Sequence, residues 1–416
     1  MDRTLDEELT SADFLRDPYP TYRRLREESP IHWVEPWHVW VISRYHDIWG
    51  NLHNWKVFGS EGRTLPLLRS LSVEVRQEID DIYDVYTGSA LLNADPPTHS
   101  QLRTLLTPAF TKQRMLDRAP RFEQLADMLI DRVAAGGEMD LIRDFADPFP
   151  AMVAADILGL PVEEWHRYAE WGVAMTRFVS TGKPTGEQAR RLRAAMIDAR
   201  QCILDAVDRQ DSSEPGVTQL LKQAWERGEI TEHDMVRNII SMAVAGHEST
   251  AGLIGAGLLE LWRRPDAWRR ISELARADDA LSSEPLEIAV EELLRFITPF
   301  QRYLRIIGQD VELHGCNLRK GDCVLFLLAS GDRDERQFEN PDELVLHRQP
   351  NKHLAFGHGI HFCIGAPLSR LEIPIAFAAL FRRLRNIRLD ERQMEHIEWR
   401  KDVVRCPTSL KVYFDA

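Results

Sequence analysis

Between Thr231 and Pro265 the chain carries one segment that reads as a single long helix. Thr231-Glu232-His233-Asp234 has a hydroxyl cap followed three positions later by an acid, a pattern that closes free N–H groups at a helix start. Pro265 marks the stop, because proline lacks an N–H and its ring clashes with the preceding turn. About 33 residues at 1.5 Å each reach roughly 50 Å, enough to cross a whole molecule. Most sides of this helix are apolar, so it must run through an interior that other elements build around it. At its centre lies Ala245-Gly246-His247-Glu248-Ser249-Thr250, an acid and two hydroxyls where the surroundings should be dry.

The rest of the sequence supplies those elements. From residue 97 to about 270, apolar residues recur at three- and four-residue spacing, the helical period. Further helices are expected at 17–28, 285–296 and 366–384. Short strands are expected at 31–34 and 39–43, again at 311–313 and 323–328, and finally at 403–406 and 410–414. No Pro/Gly/Ser-rich linker divides the chain. We therefore expect one domain over 1–416, mainly α with small β-sheets (α+β). It has a β-richer N-terminal part at about 1–60, a helical core at about 97–300 and a cysteine-bearing loop at 356–365.

Composition narrows the class of function. A net charge of -13 argues against general nucleic-acid binding. No run of about eighteen apolar residues is present, so no membrane-spanning helix is expected. The acidic, polar start at Met1-Asp2-Arg3-Thr4 is unlike a signal peptide. The five cysteines (Cys202, Cys316, Cys323, Cys363 and Cys406) are scattered and odd in number, which suits a reducing cytoplasm. A cytoplasmic monomer with no membrane or nucleic-acid partner is the expectation.

One cysteine stands apart. Phe356-Gly357-His358-Gly359-Ile360-His361-Phe362-Cys363-Ile364-Gly365 is a glycine-rich turn running straight into a helix. The glycines allow tight torsions and close approach of a bulky group. The helix start beyond them favours thiolate over thiol. A thiolate against a flat cofactor is what an iron–sulfur bond to haem requires. Two plainer readings compete. A free cysteine is commonly a small buried apolar residue, and His353, His358, His361 and Cys363 could hold zinc, although their spacings are irregular for it.

Three other segments carry chemistry or architecture. Mid-helix Ser249 and Thr250 could simply bond back to carbonyls one turn earlier, and Glu248 could be a paired buried charge. Glu292 and Arg295 are spaced i, i+3 on one helix face, ordinarily a surface ion pair of small worth. Asp95-Pro96-Pro97-Thr98-His99-Ser100-Gln101-Leu102-Arg103 reads on its own as a helix start with solvated polar residues.

Together these segments resemble the cytochrome P450 family, in the family's order and at its usual separations, so the resemblance covers nearly the whole chain. The string at 356–365 matches F-G-x-G-x-H-x-C-x-G. Residues 245–250 resemble A-G-x-[DE]-T-[TS], Glu292 and Arg295 match E-x-x-R, and 95–103 resembles D-P-P-x-H-x-x-x-R. The resemblance implies a triangular prism with haem b (iron protoporphyrin IX) between the long helix and the cysteine loop. Cys363 is then the iron ligand, with Phe356, Gly357 and Gly365 shaping its loop. His99, Arg103, Arg305 and His361 become partners of the haem propionates, whose carboxylates such cations suit. Ala245 and Gly246 leave room for O2, while Glu248, Ser249 and Thr250 handle protons. The Glu292–Arg295 pair is implied to be structural, with Arg348 (or, less favoured, Arg333) as its third member.

The implied activity is a haem-thiolate monooxygenase that hydroxylates or epoxidises a small to medium organic substrate with O2, in natural-product or xenobiotic metabolism. Reducing equivalents come from NAD(P)H through a ferredoxin or flavodoxin and its reductase, docking near Lys112, Arg114 and Arg370. One departure stands out: the family's usual threonine after the acid is Ser249 here, which keeps the hydroxyl without the methyl that stiffens χ1. Atypical chemistry (peroxide-driven oxidation, desaturation or coupling) is the alternative, and a non-catalytic haem-thiolate sensor a weaker one. Substrate is expected to meet the segments 60–92, 171–179, 299–304 and 408–410. Phe178, Ser241, Val244, Ala245, Pro299, Phe300, Arg302 and Ser409 are the pocket candidates, with Arg302 a potential anion anchor.

Overall fold

The computed structural model describes residues 3–83, 90–180, 183–209, 216–394, 396–401 and 403–415. The long helix is Glu232–Trp262, 31 residues. At its start the Asp234 N–H donates to the Thr231 hydroxyl at 3.1 Å, and the Thr231 N–H donates to the Asp234 carboxylate at 3.0 Å. That reciprocal pair is the expected cap. Pro265 sits in the first turn of the next helix, Pro265–Arg276, where its missing N–H costs nothing.

The chain packs as two compact units. One comprises Met1–Gly59, Ala119–Ala146 and Ser249–Ala416, the other Ser60–Arg118 and Asp147–Glu248. The long helix supplies residues to both, through Glu248 to the second and from Ser249 to the first.

The first unit holds every strand found among the described residues. In its five-stranded sheet the order is Ile31–Val34, Val39–Ile42, Cys323–Phe326, Tyr303–Ile307, Phe58–Gly59, with Val39–Ile42 parallel to Cys323–Phe326 and the other neighbours antiparallel. Side chains alternate faces along a strand. Ile31, Ile42, Val324 and Phe326 therefore enter one apolar cluster with Tyr45, Ile48 and Leu354. Val34, Val41 and Leu325 enter another with Tyr22 and Leu25. Glu138–Asp140, Lys411–Asp415 and Arg385–Leu389 form a second sheet, and Val311–Leu313 with Cys316–Leu318 forms a hairpin.

Several expected strand bounds change. At 403–406 there is no strand but an isolated bridge from Phe300 to Val404, with Pro407 just beyond to interrupt a ladder. The strand expected through 328 ends at Phe326, because Leu328–Gly331 turns into a short helix. The helix expected from 17 begins at Tyr19, after Asp17-Pro18, since the residue before a proline disfavours helical torsions. Five short strands were not anticipated: Phe58–Gly59, Glu138–Asp140, Tyr303–Ile307, Cys316–Leu318 and Arg385–Leu389.

Among its described residues the second unit is helical, with Thr98–Leu106, Pro148–Leu158, Trp165–Ser180, Gly186–Arg209 and Val217–Glu226 as its main members. Trp165–Ser180 is pinned to Gly186–Arg209 by Asp198, which accepts from Arg167 at 2.7 Å and from the wholly buried Trp171 indole at 3.0 Å. No helix among the described residues is long and apolar enough to cross a membrane.

Candidate functional site

In the first unit the cysteine loop is fixed by backbone geometry. Gly357 and Gly359 take φ of 68° and 72°, the left-handed region that favours glycine. A Cβ on Gly359 would stand 2.3 Å from the Leu52 carbonyl oxygen, and one on Gly357 2.6 Å from the Tyr303 ring. The Cys363 N–H donates to the Phe356 carbonyl at 2.9 Å, closing the loop. Two residues later Gly365 caps the helix Ala366–Arg383, so the half-buried thiol lies near that helix's free N–H groups.

Below the loop lies a polar network. Glu292 and Arg295, both fully buried, share two hydrogen bonds of 2.8 Å. Arg348 Nε lies 3.1 Å from both Glu292 oxygens, and the Val345 N–H and Asn351 amide donate to the same carboxylate. Arg295 also donates to the carbonyls of Asp332, Pro341 and Glu343. Asp332 in turn accepts the Thr298 hydroxyl at 2.8 Å and the Leu354 N–H at 2.7 Å, and the Leu354 carbonyl accepts the Gly357 N–H. A continuous chain of bonds thus runs from Glu292 to the turn that carries Cys363. Burial pushes the Asp332 carboxyl up to about 6 despite those donors. Arg333, the other candidate for third member, pairs instead with Asp342 at 3.1 Å and stacks on Phe296.

Beside the loop, Arg370 binds Glu291 through bonds of 2.7 and 2.9 Å, and its guanidinium lies 4.8 Å from the Phe356 ring centre. Burial would raise the Glu291 carboxyl, but hydrogen bonds from Arg370 and His353 hold it at about 2. Arg370, one of the expected docking cations, is paired with Glu291 and remains 43% exposed at its side chain. His353 is engaged by the same carboxylate at 3.2 Å, and His358 is stacked on Trp49 with ring centres 3.4 Å apart. Among the described residues no three His, Cys, Asp or Glu side chains gather as a metal-ion site. The zinc reading therefore lacks a ligand set. One half-buried thiol on a rigid loop fits a group that brings its remaining ligands with it, as haem does.

The other expected residues of this unit lie on several elements. Arg305, on the strand Tyr303–Ile307, is buried and donates to the Leu304 carbonyl at 2.9 Å. His361 lies in the one-turn helix Gly359–His361. Thr250 is buried and Ser249 half-buried. Glu372, which the sequence did not single out, is 1% exposed, and neither of its oxygens has a well-formed hydrogen bond. Burial pushes its carboxyl up to about 8, with the Thr250 hydroxyl offsetting only part of that. Arg302, expected as an anion anchor, lies over the Trp37 ring at 5.4 Å. Ser409 is tied to Asp140 at 2.7 Å. Pro299 accepts the Arg405 N–H, and the Phe300 ring packs on Tyr303.

In the second unit, His99 and Arg103 fall four residues apart on Thr98–Leu106, so they share a helix face, with His99 buried. Asp95 anchors the approach to this helix, its carboxylate accepting the Ser60 N–H at 3.0 Å and its carbonyl the His99 N–H. Glu248 is buried and accepts from the Thr176 hydroxyl at 3.3 Å. Ala245 is exposed, while Ser241, Val244 and Gly246 are half-buried, on a helix otherwise largely enclosed. Phe178 is wholly buried. Of the expected segment 60–92, residues 84–89 lie outside the described residues. Thr176 carried no sequence signal, since its partner is 72 residues away.

The family described as Cytochrome P450 matches residues 185–414. The chain is 33% identical to "Cytochrome P450 monooxygenase PikC" of Streptomyces venezuelae, over 98% of this chain and 94% of that one. It is 32% identical to "Mycinamicin IV hydroxylase/epoxidase" of Micromonospora griseorubida, over 94% of each. The solved structure of a myxobacterial cytochrome P450, CYP267B1, in complex with myristic acid superposes with a TM-score of 0.84 at 32% identity, covering 98% of this chain and 99% of that one.

Two outcomes test this geometry. Glu292→Gln removes the charge facing two buried guanidinium groups and should cost about 3–5 kcal/mol, read as a lower denaturation midpoint at unchanged slope. Glu372 sits at about 8 when folded against an ordinary value of 4.5, so its contribution is fully present below 4.5 and is lost as pH rises through 8. Glu372→Gln should therefore raise Tm more at pH about 8.5 than at pH about 5. An equal effect at both would contradict the assignment.

Proposed function

The chain belongs to the cytochrome P450 family and is an oxygen-incorporating monooxygenase of that family; we propose that it hydroxylates or epoxidises a small to medium organic substrate, with electrons delivered from NAD(P)H by a ferredoxin or flavodoxin and its reductase. When bound, haem supplies the centre at which O2 is reduced and one oxygen atom is transferred to substrate. The observation that carries the site assignment is the bonded path from Glu292 through Asp332 and Leu354 to the loop of Cys363.

On this reading Cys363 holds the cofactor through its sulfur, and the start of Ala366–Arg383 favours the thiolate. His99, Arg103, Arg305 and His361 are the cationic and hydrogen-bonding partners for the two propionates. Ala245 and Gly246 leave space by having little side chain. Glu248 is the acid that passes protons in a dry setting, and Ser249 orients the group that receives them. Thr250, buried near Glu372, supports that helix turn. Lys112, Arg114 and Arg370 remain the candidate docking cations. Substrates of the natural-product kind are supported by a relative named for mycinamicin IV.

Ser249 favours a second outcome. A serine hydroxyl has more rotamers than a threonine's, so the proton route is less well held and more reducing equivalents should escape as hydrogen peroxide. With surrogate ferredoxin and reductase, Ser249→Ala should raise peroxide released per substrate oxidised several-fold, on the order of one net hydrogen bond, and Thr250→Ala should raise it less. Equal coupling in the Ser249 variant and the parent would remove Ser249 from the proton path.

A further inference from the structure

Within the first unit, the helix Pro265–Arg276 lines a groove that shares no residue with the site around Cys363. Its volume is 640 Å3, in the range of about 300–1,000 Å3 usual for small-molecule sites. Trp268 and Ser272 fall four residues apart on that helix, with Arg269 and Arg276 beside them, so rings, a hydroxyl and cations reach one groove together. Trp268 stands edge-on to Trp262 at 5.3 Å and to Phe381 at 5.0 Å between ring centres. Phe381 is buried, whereas both indoles are only half-buried, which leaves flat apolar surface for another ring to cover.

The polar groups of the groove are under-used. A hydroxyl inside a helix ordinarily bonds back to a carbonyl one turn earlier, as Thr104 does to Ser100 at 2.9 Å. Ser272 is 7% exposed, yet its hydroxyl makes no such bond and has no other partner among the described residues. Arg276 Nε donates to the Phe381 carbonyl at 2.9 Å, which fixes the guanidinium at the groove. An arginine at a helix end can serve only to answer such a carbonyl. That takes one of its five N–H donors; the other four meet no carboxylate among the described residues. Arg269 and Arg388 are paired only at the surface, with Asp266 at 3.2 Å and Asp415 at 3.7 Å, contacts of little worth that an incoming anion displaces with little loss.

We propose that this groove binds a small organic anion, with a flat apolar body against Trp262 and Trp268 and a carboxylate, sulfonate or phosphate group held by Arg276 and Ser272. The planar guanidinium fork matches two oxygens of such a group, and the Ser272 hydroxyl donates to one of them. A neutral apolar molecule leaves the cations unanswered, and an inorganic anion leaves the indoles uncovered. Binding is non-covalent, and the occupant ties Pro265–Arg276 to the last turns of Ala366–Arg383.

Titration of the haem-loaded protein with 1-naphthalenesulfonate tests this, with 1-naphthalenemethanol as the uncharged probe carrying the same ring. The indole N–H resonances of Trp262 and Trp268, assigned through Trp262→Phe and Trp268→Phe, should shift saturably with the sulfonate. The sulfonate should bind about tenfold tighter than the alcohol, the factor expected of one charge-assisted bond. Arg276→Gln should weaken it about tenfold and Ser272→Ala about threefold. Arg388→Gln changes an exposed side chain and should weaken binding about twofold with Tm unchanged. If Arg276→Gln lowers Tm through loss of the Phe381 bond, Arg388→Gln and Ser272→Ala decide. Indole resonances that stay in place up to millimolar sulfonate overturn the proposal. So does equal affinity for sulfonate and alcohol, or parental affinity in all three variants.

Discussion

The carboxylate of Glu292 is the interaction on which the rest of the site depends. It is fully buried, and an unpaired charge there would be prohibitively costly, so every lone pair has to be met. Arg295, Arg348, the Val345 N–H and the Asn351 amide meet them. Because Arg295 spends its remaining donors on the carbonyls of Asp332, Pro341 and Glu343, one ion pair organises the segment from 332 to 354. Asp332 passes that order to Leu354, and Leu354 to Gly357. The loop of Cys363 is therefore held from beneath by charge satisfaction and from above by glycines that alone fit against Leu52 and Tyr303.

Burial alone does not decide what a carboxyl does in this protein. Glu291, on the helix Glu284–Ile297, is held at about 2, and Glu372, on Ala366–Arg383, is pushed to about 8. The difference is partners: Arg370 and His353 donate to Glu291, whereas burial of Glu372 is offset only in part by the Thr250 hydroxyl among the described residues. Glu291 is thus a fixed anion beside the cysteine loop, and Glu372 a neutral acid within the core.

Much of this was legible in the sequence where a residue's role is local. The long helix was set by Thr231, Asp234 and Pro265, and the structure places its ends within three residues of those markers. The torsions of the cysteine loop followed from Gly357 and Gly359. What escaped was contact between distant segments. The strands Tyr303–Ile307 and Arg385–Leu389 are short and owe their form to partners far along the chain, so periodicity could not reveal them. The same holds for Arg302 over Trp37, Ser409 on Asp140 and Thr176 on Glu248.

Whether Cys363 serves as a thiolate ligand to haem is tested directly by the spectrum of the purified, dithionite-reduced, CO-bound protein. A strongly red-shifted Soret band, lost in Cys363→Ala, is the predicted result, because an anionic sulfur ligand would move the band so far. A Soret band at the position given by histidine ligation, or a protein that takes up no haem, would contradict it.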